Sequence, residues 1–269
     1  MIRLALRVRR ADAEIVLAEL LELAPGGVEE TEDGEAIEFA LYGAAGELPA
    51  LPDLRAAAGD AFVDVSAREI PDDWYDGWRR FHRPVLVAER VRVRPPWSKP
   101  ELSPGLIDIV IEPGQAFGTG AHHTTRLCLE LMLGLEPAGA LADLGCGSGV
   151  LAIAAAKLGW APVLAVDHET AAVEAAQANA RANGVAVDVT RLDLRSAAPP
   201  PAGTVVANLL GPLLLGLADS LAEPPERFIA GGLLHAEADG VAAAFAARGL
   251  GEQERRAAGD WTALMLARS

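Results

Sequence analysis

Apolar and polar positions follow two different patterns on either side of about residue 105. Beyond that point, short apolar runs of strand length alternate with Ala-rich and Leu-rich runs of helical length. The predicted strands are IDIVIE, ALADLG, APVLAVD, VAVDVTRLD, GTVVANLL and RFIAGGLL, the predicted helices are AIAAAKLG, ETAAVEAAQANARANG, PLLLGLADSLA and residues 237–248, and LGEQERRAAGDWTALMLA forms a closing antiparallel hairpin. Alternating strands and helices indicate an α/β fold with a doubly wound, mainly parallel sheet.

The first 69 residues follow a different pattern. The segments IRLALRVR and AFVDVSARE alternate like strands, and further strand-like pieces lie around 27–31 and 36–41. Helical spacing runs to about Leu23 and again over 51–58. The order βαββαβ predicts a small α+β domain with a ferredoxin-like fold.

Residues 70–104 are predicted to connect these two parts. The segment IPDDWYDGWRRFHR is rich in aromatic residues and predicts a helix, on which Trp74 and Trp78 share one face. We expect this face to pack on one of the domains, and a direct contact with the substrate is the alternative. Two short strands and a Pro-rich turn follow over 84–100. The predicted domains are therefore residues 1–69, a linker over 70–104, and residues 105–269.

Composition limits the class of protein. The chain has 269 residues, 51% of them hydrophobic, and can bury a sizeable core. Its net charge of −15 disfavours direct binding of nucleic acid and would attract a basic partner. Cys128 and Cys146 make neither a metal framework nor a disulfide framework. Because no long apolar run is present, we expect no signal peptide, no membrane association and a cytoplasmic location.

The densest chemistry lies in ALADLGCGSGVLAIAAAKLGWAPVLAVD, residues 140–167. A strand containing Asp143 leads into a G-x-G-x-G turn that starts at Gly145, and a helix then leads to a second strand that ends at Asp167. Glycines let a backbone approach a ligand closely, and a helix start presents unpaired N–H groups and a partial positive charge. An acid at the tip of the second strand can accept hydrogen bonds from ribose hydroxyls. This unit predicts a site for a cofactor that carries a nucleoside.

Two features of the unit distinguish between cofactors. A dinucleotide site has the spacing G-x-G-x-x-G, but Val150 occupies the position of the third glycine. Asp143 precedes the turn, where its carboxylate would repel a pyrophosphate but would suit a ligand with an ammonium and a sulfonium. The two features favour S-adenosylmethionine over a nicotinamide cofactor. An NAD-dependent dehydrogenase and a tight turn without any ligand are the alternatives.

A second cluster lies in IEPGQAFGTGAHHTTRLCL, residues 111–129. Glycines surround Phe117, which could cover a ligand, and threonine hydroxyls lie near a predicted helix start. Hydroxyls and exposed N–H groups can bind a carboxylate or a hydroxyl, and the alternative is that a threonine only caps the helix. The adjacent His122 and His123 lack a second pair at ligand spacing, so we expect no metal site. His122 is a candidate for lining the site.

The fourth core strand ends in VVANLLGP. Asn208 lies where this strand meets its loop, a usual place for ligand groups in open α/β sheets. Its carboxamide and nearby backbone carbonyls, such as that of Leu209, can accept hydrogen bonds from an amine and direct its lone pair. A turn asparagine bonded to its own backbone is the alternative. Asp193, after the third core strand, is a candidate for binding the amino group of adenine.

Five segments together resemble one family. They are DDWYDGWRRFHRP, IEPGQAFGTGAHHTTRLCL, DLGCGSGVLAIAAAKLG, the VD pair at 166–167 and VVANLLGPL, and they span roughly residues 72–218 in the order of that family. The chain resembles the bacterial PrmA family, methyltransferases that modify large-subunit ribosomal protein eleven. A glycine turn is generic to seven-stranded methyltransferases, but the FGTG-x-H-x-TT run and the ANLL-GPL ending are far more specific.

The resemblance implies a small substrate-recognition domain, a linker helix, and a seven-stranded, Rossmann-like class I methyltransferase domain that binds S-adenosylmethionine. It also implies methylation of lysine side chains and of the N-terminal amine of a large-subunit ribosomal protein, with cofactor contacts at Thr125, Gly145, Asp167 and Asn208. Two departures concern the protein substrate: EPPER replaces the family's Pro-Gly-Gly turn, and the first domain matches only in outline. The alternatives are a lysine methyltransferase of another protein, such as the electron-transfer flavoprotein β subunit, a nucleic-acid or small-molecule methyltransferase, and a binding module without activity.

The predicted site combines these motifs. Asn208 and Leu209 are the predicted catalytic residues, and the predicted cofactor contacts are Phe117, Gly118, Thr119, His122, Thr125, Asp143, Gly145, Gly147, Asp167, Asp193 and Asn208. The motifs offer no convincing general base. Only about one lysine in two thousand is neutral at pH 7, so holding that neutral amine in place would carry much of the catalysis.

Overall fold

The computed structural model of the chain describes residues 2–23, 28–34, 36–43, 48–69, 82–101, 103–113, 120, 122–221 and 223–268. The described residues up to His82 belong to one compact unit, and those from Arg83 onward belong to a second. Each unit has a hydrophobic core of its own. Among the described residues, none of the helices combines the length and the apolar character needed to cross a membrane.

The first unit is a four-stranded antiparallel sheet with helices packed on it. Its elements are β1 (Ile2–Arg9), α1 (Ala13–Leu23), β2 (Glu29–Asp33), β3 (Ala36–Gly43), α2 (Leu51–Ala58) and β4 (Phe62–Glu69), and the strand order is β2-β3-β1-β4. Alternate residues of β1, Leu4, Leu6 and Val8, enter the core, which also contains Leu20 of α1 and Leu54 of α2. The order of strands and helices along the chain is the one that the sequence predicted.

The second unit contains the predicted alternation of strands and helices. Its strands are β5 (Val85–Val87), β6 (Val91–Arg94), β7 (Ile107–Val110), β8 (Leu141–Leu144), β9 (Val163–Asp167), β10 (Asp188–Arg191), β11 (Thr204–Asn208), β12 (Arg227–Leu234), β13 (Leu250–Ala258) and β14 (Trp261–Arg268). Its helices are α3 (His123–Leu133), α4 (Val150–Leu158), α5 (Thr170–Ala182), α6 (Gly211–Ser220) and α7 (His235–Ala246). The start of α7 lies before the predicted residue 237, because the Glu237 side chain accepts a hydrogen bond from the N–H of Leu234 and caps the helix there.

The strands β8 to β14 form one sheet in the order β10-β9-β8-β11-β12-β14-β13. The first five strands in this order, from β10 across to β12, are parallel to one another. The last two, β14 and β13, form an antiparallel hairpin at the edge of the sheet. The chain runs from β8 to β9 and β10 on one side, and then crosses to β11 on the other. Such a reversal, here between β8 and β11, is the topological switch point at which open α/β sheets bind ligands.

Helices cover both faces of this sheet. One core contains Leu127 of α3 and residues of α4 and α5, and the other contains Leu217 of α6 and residues of α7. Neighbouring strand residues alternate between the cores, since Val206 enters the first and Ala207 the second. Because both faces are buried, the strands are almost continuously apolar in sequence. The predicted α/β architecture is confirmed.

The strands β5, β6 and β7 form a separate sheet in the same unit, with β7 at one edge. Arg92 and Arg94 of β6 both bind the carboxylate of Asp108 in β7, at 3.0 and 2.7 Å. Asn183, which follows α5, binds both polar groups of Val110: its Oδ1 accepts from the N–H at 2.9 Å, and its Nδ2 donates to the carbonyl at 2.6 Å. The predicted strand IDIVIE therefore belongs to this small sheet, together with the strand pieces predicted over 84–100.

Candidate functional site

The carboxyl ends of β8, β9 and β11 meet at the switch point of the large sheet. In the glycine turn after β8, the N–H groups of Gly145 and Cys146 both donate to the carbonyl of Val166 in β9, at 2.8 and 3.0 Å. The three glycines of the turn have positive φ values between +51° and +79°, and Gly149 is the N-cap of α4. The strand, turn and helix predicted from the sequence are all present.

Gly145 also brings two predicted motifs into contact. A β carbon at this position would lie 2.4 Å from Cδ2 of Leu209, the residue that follows β11. A larger residue would have to displace the leucine side chain and would be strained by the positive φ of this position. The glycine turn and the loop that carries the predicted catalytic residues are therefore packed directly against each other.

Asp143 is a buried carboxyl with one satisfied oxygen. Its Oδ2 accepts a hydrogen bond from the N–H of Ala152 in α4 at 3.0 Å, whereas its buried Oδ1 has no hydrogen-bond partner among the described residues. Burial raises the pKa of Asp143 to about 7, with a smaller contribution from the charge of Asp167 and an opposing one from the Ala152 hydrogen bond. A carboxylate in these surroundings is stabilised by a cation that reaches its second oxygen.

Asp167 lies at the tip of β9, where the sequence predicted a ribose-binding acid. Its Oδ2 accepts a hydrogen bond from the N–H of Gly147 at 2.9 Å, and its Oδ1 accepts from the N–H of Glu169 at 3.0 Å. The two bonds fix the carboxylate against the glycine turn. Because a carboxylate has about four lone-pair sites, both oxygens can still accept hydrogen bonds from a ligand.

A cavity of about 370 Å³ follows β9 and β10, and is lined by His168, Arg191, Leu192, Asp193 and Arg195. The Arg195 guanidinium donates to both oxygens of Asp193, at 2.9 and 3.1 Å, and holds the pKa of this carboxyl below its ordinary value. Asp193 therefore lies in a cavity beyond the tip of β9, with its carboxylate oriented by a neighbouring arginine.

Asn208 is held in one orientation by a chain of hydrogen bonds. Its Nδ2 donates to Oγ1 of Thr124 at 3.1 Å, and this Oγ1 lies 2.8 Å from Nδ1 of His122. That Nδ1 also accepts from the N–H of Thr124 at 3.3 Å, so it carries no proton, and the threonine hydroxyl must donate to it. Burial, and then the charge of His123, lowers the pKa of His122 to about 4, which keeps the ring neutral. The amide oxygen of Asn208 is thereby left as an acceptor.

Besides Oδ1 of Asp143, two other buried oxygens at the site have no hydrogen-bond partner in the described part of the chain. They are Oδ1 of Asn208 and Oγ1 of Thr125, the residue after Thr124 in α3. The N-cap of α3 is His122, which packs edge-on against Trp261 of β14 with ring centroids 5.1 Å apart. This helix is therefore capped by a histidine and not by a threonine, which was the alternative role considered for the threonines.

All the predicted site residues that the structure describes lie in the second unit. They are His122, Thr125, Asp143, Gly145, Gly147, Asp167, Asp193, Asn208 and Leu209. Phe117, Gly118 and Thr119 lie outside the described residues, as do Trp74 and Trp78 of the predicted linker helix. Within the described ranges, no group of three or more His, Cys, Asp or Glu side chains is arranged to hold a metal ion.

Asn179 of α5 is a site residue that the sequence analysis missed. Its Nδ2 donates to the carbonyl of Ser148 in the glycine turn at 2.9 Å, and its Oδ1 accepts from the N–H of Glu112 at 3.1 Å. Glu112 precedes the segment that carries Phe117, so one buried amide ties the two predicted cofactor motifs together. The signal was a pair of asparagines four residues apart, Asn179 and Asn183, in a predicted helix, where asparagine is a poor helix former.

A mixed sheet covered by helices on both faces, with a glycine turn and acidic residues at its switch point, defines a Rossmann-like class I methyltransferase. The chain belongs to the ribosomal protein L11 methyltransferase (PrmA) family, whose model matches residues 51–269. The family resemblance predicted from the five segments is therefore confirmed.

Individual relatives agree with this assignment. A ribosomal protein L11 methyltransferase of Pelotomaculum thermopropionicum is 39% identical over 207 residues, which cover 74% of this chain and 67% of that protein. The crystal structure of a ribosomal protein L11 methylase from Lactobacillus delbrueckii subsp. bulgaricus matches 70% of this chain and 100% of its own, with a TM-score of 0.62 and 30% identity. A tRNA (uracil-54, C5)-methyltransferase of Pyrococcus abyssi shares only the fold, with a TM-score of 0.50 and 20% identity over 63% of this chain and 48% of its own. The match spans about two thirds of the length of such curated relatives, 67% in one and 65% in another.

Proposed function

We propose that the chain is an S-adenosylmethionine-dependent methyltransferase that modifies amines of a large-subunit ribosomal protein. One observation carries the proposal: Oδ1 of Asp143 and Oδ1 of Asn208, on the neighbouring strands β8 and β11, are buried acceptors that the described residues leave without partners. Two such oxygens beside a glycine turn suit two nitrogen groups, the ammonium of the cofactor and the amine of the substrate. Membership of the PrmA family supports the same reaction.

The residues at the switch point fit the parts of this cofactor. Asp143 would hold the ammonium of its methionine end and the start of α4 its carboxylate, and Asp167 would accept hydrogen bonds from the ribose. The cavity lined by Asp193 would take the adenine. By resemblance to the family, Thr125 would contact the cofactor. Phe117, Gly118 and Thr119 are proposed as further cofactor contacts, with Phe117 covering the ligand. When bound, S-adenosylmethionine supplies an electrophilic methyl group on a positively charged sulfur.

Asn208 and Leu209 would hold the amine that accepts the methyl group. The amide oxygen of Asn208 and the carbonyl of Leu209 would each accept one N–H of the amine, so that its lone pair is free to attack. For lysine at pH 7, losing the proton that blocks this lone pair costs about 4–5 kcal/mol, and for an α-amine about 1 kcal/mol. We assign no general base, and the two acceptors contribute by orientation.

The protein partner follows from charge and from family membership. A net charge of −15 attracts a basic protein, and ribosomal proteins are the substrates that the family's name states. We propose that residues 1–69 form a ferredoxin-like domain that recognises this partner, that residues 70–104 connect it and also contribute β5 and β6 to the second unit, and that residues 105–269 carry out the transfer. A ribosomal substrate implies a cytoplasmic location and no need for direct binding to nucleic acid.

Mass spectrometry of intact proteins tests this function. The purified chain is incubated with S-adenosylmethionine and separated large-subunit ribosomal proteins, and we expect whole methyl groups to be added to a single basic protein. Asn208→Ala should lose this transfer and keep most of its cofactor affinity, whereas Asn183→Ala, the same change away from the acceptor oxygens, should retain transfer. Methylation of the electron-transfer flavoprotein β subunit instead would contradict the substrate, and methylation of no amine at all would contradict the reaction.

A further inference from the structure

The strand β12 carries two consecutive glycines where the neighbouring β11 ends. In the parallel register of these strands Gly231 lies beside Asn208, and the pairing of β12 with β14 is interrupted between Ala230 and Leu233. Gly232 has a φ of +79°, which residues with a β carbon rarely adopt. The strand therefore forms a bulge at the proposed amine site, and bulges are over-represented beside active sites.

The bulge places bare backbone against the peptide group of Leu209. The N–H of Leu209 donates to the carbonyl of Gly231 at 3.1 Å. A β carbon on Gly232 would lie 2.5 Å from the carbonyl oxygen of Leu209 and 3.0 Å from its carbonyl carbon, closer than non-bonded atoms approach. The direction of the Leu209 carbonyl thus depends on the absence of a side chain at residue 232.

Gly231 borders the second acceptor in the same way. A β carbon here would lie 2.3 Å from Sγ of Cys128 and 3.2 Å from Oδ1 of Asn208. A side chain at residue 231 would therefore meet the buried sulfur and would take space beside the amide oxygen.

We propose that Gly231 and Gly232 are positioning residues for the amine: the bulge fixes the Leu209 carbonyl and keeps Oδ1 of Asn208 open to the substrate nitrogen. This inference rests on the proposed function, because it concerns the acceptor side of the reaction. It requires that a side chain at either position impairs methyl transfer and leaves cofactor binding unchanged.

Gly232→Ala, compared with Gly249→Ala, separates this role from backbone strain. Gly249 lies in the same unit with a φ of +84°, and no described atom lies within 4 Å of a β carbon built on it, so its substitution strains the backbone without a clash. At saturating cofactor, Gly232→Ala should lower kcat by about 100-fold, with the Kd for S-adenosylhomocysteine changed by less than about twofold. Gly249→Ala should lower only the melting temperature.

A second variant covers the case in which Gly232→Ala does not fold. In a Cys128→Ala background the sulfur is gone, and Oδ1 of Asn208 becomes the nearest described neighbour of a side chain at Gly231. Adding Gly231→Ala to that background should lower kcat by about tenfold relative to Cys128→Ala alone. The inference is overturned if Gly232→Ala has the same kcat as Gly249→Ala, or if the double variant has the same kcat as Cys128→Ala alone. A loss of cofactor affinity that accompanies the loss of kcat would also overturn it. If the wild-type chain itself methylates no amine, the proposed function fails instead.

Discussion

Replacing Asp143 by Asn should make the cofactor-free protein progressively more stable than the wild type as the pH rises, and should weaken cofactor binding. The carboxyl is buried, and only its Oδ2 has a partner, the N–H of Ala152 at 3.0 Å, in the described structure. Asparagine has nearly the same shape, keeps an oxygen for Ala152 and carries no charge. The change therefore removes the titration of a buried group and leaves its packing in place.

The size of the effect follows from the pKa of this carboxyl, which burial raises from 3.8 to about 7. Above about pH 4 the carboxyl is ionised in the unfolded chain, but in the folded protein it keeps its proton until about pH 7. Folding takes up a proton in this window, so the stability of the wild type falls as the pH rises and levels off above it. Between about pH 5 and about pH 8, the difference in unfolding free energy should move in favour of Asp143→Asn by about 3 kcal/mol.

Urea unfolding of the two proteins without cofactor, repeated across this pH range, measures the difference. Burying the new amide N–H₂ group has a constant cost, which shifts the stability difference equally at every pH. The test is therefore how the stability difference changes with pH, and not its absolute value. A stability difference that does not change with pH would refute the reasoning.

The same carboxyl also links cofactor binding to pH. Below pH 7 a bound ammonium favours the ionised form, so the wild type should release a proton when S-adenosylhomocysteine binds. The heat of binding should then depend on the ionisation enthalpy of the buffer for the wild type and not for Asp143→Asn. Buffer-independent heats for both proteins would rule out the contact between Asp143 and the ammonium.

Three further measurements test the contacts around the site. Asn179→Ala should weaken S-adenosylmethionine binding by about tenfold, because a carbonyl of the glycine turn loses its partner. Asn183→Ala should lower the melting temperature without this loss of affinity. Equal affinities in the two variants would contradict the assignment of Asn179 to the site. Thr124→Val should lower kcat by about tenfold by releasing the amide of Asn208, and Thr124→Ser should restore it. Thr262→Val removes another threonine–histidine hydrogen bond, of 2.6 Å, and should leave kcat unchanged; an equal loss would make the effect of Thr124 merely structural.

The sequence predicted most of the fold because its patterns are local. Strands buried on both faces are apolar runs, and glycine spacing and strand ends lie within a few residues of one another, so Gly145, Asp167 and Asn208 could be placed at one edge of the sheet. The strand IDIVIE shows the limit of such patterns. Its apolar residues predicted a strand, but its sheet depends on partners such as Arg94, whose ion pair with Asp108 is not visible in a local pattern.

The site was predicted less completely than the fold, for the same reason. Asn179 and Ser148 are 31 residues apart, and Asn208 and Thr124 are 84 apart, so neither hydrogen bond leaves a short-range pattern. The neighbouring histidines also gave no sign that His122 would be an acceptor and a helix cap. Glycines in RFIAGGLL fitted a strand, and only the structure shows that Gly232 faces the Leu209 carbonyl.

Asn183 covers polar backbone groups of the edge strand β7. The strand β7 lies at an edge of its sheet, and an open edge is a template on which another chain can add a strand and begin to aggregate. By occupying both polar groups of Val110, the asparagine amide occupies hydrogen-bonding positions that an incoming strand would need. Variants of Asn183 should therefore be handled at low concentration, since self-association could be mistaken for lost stability.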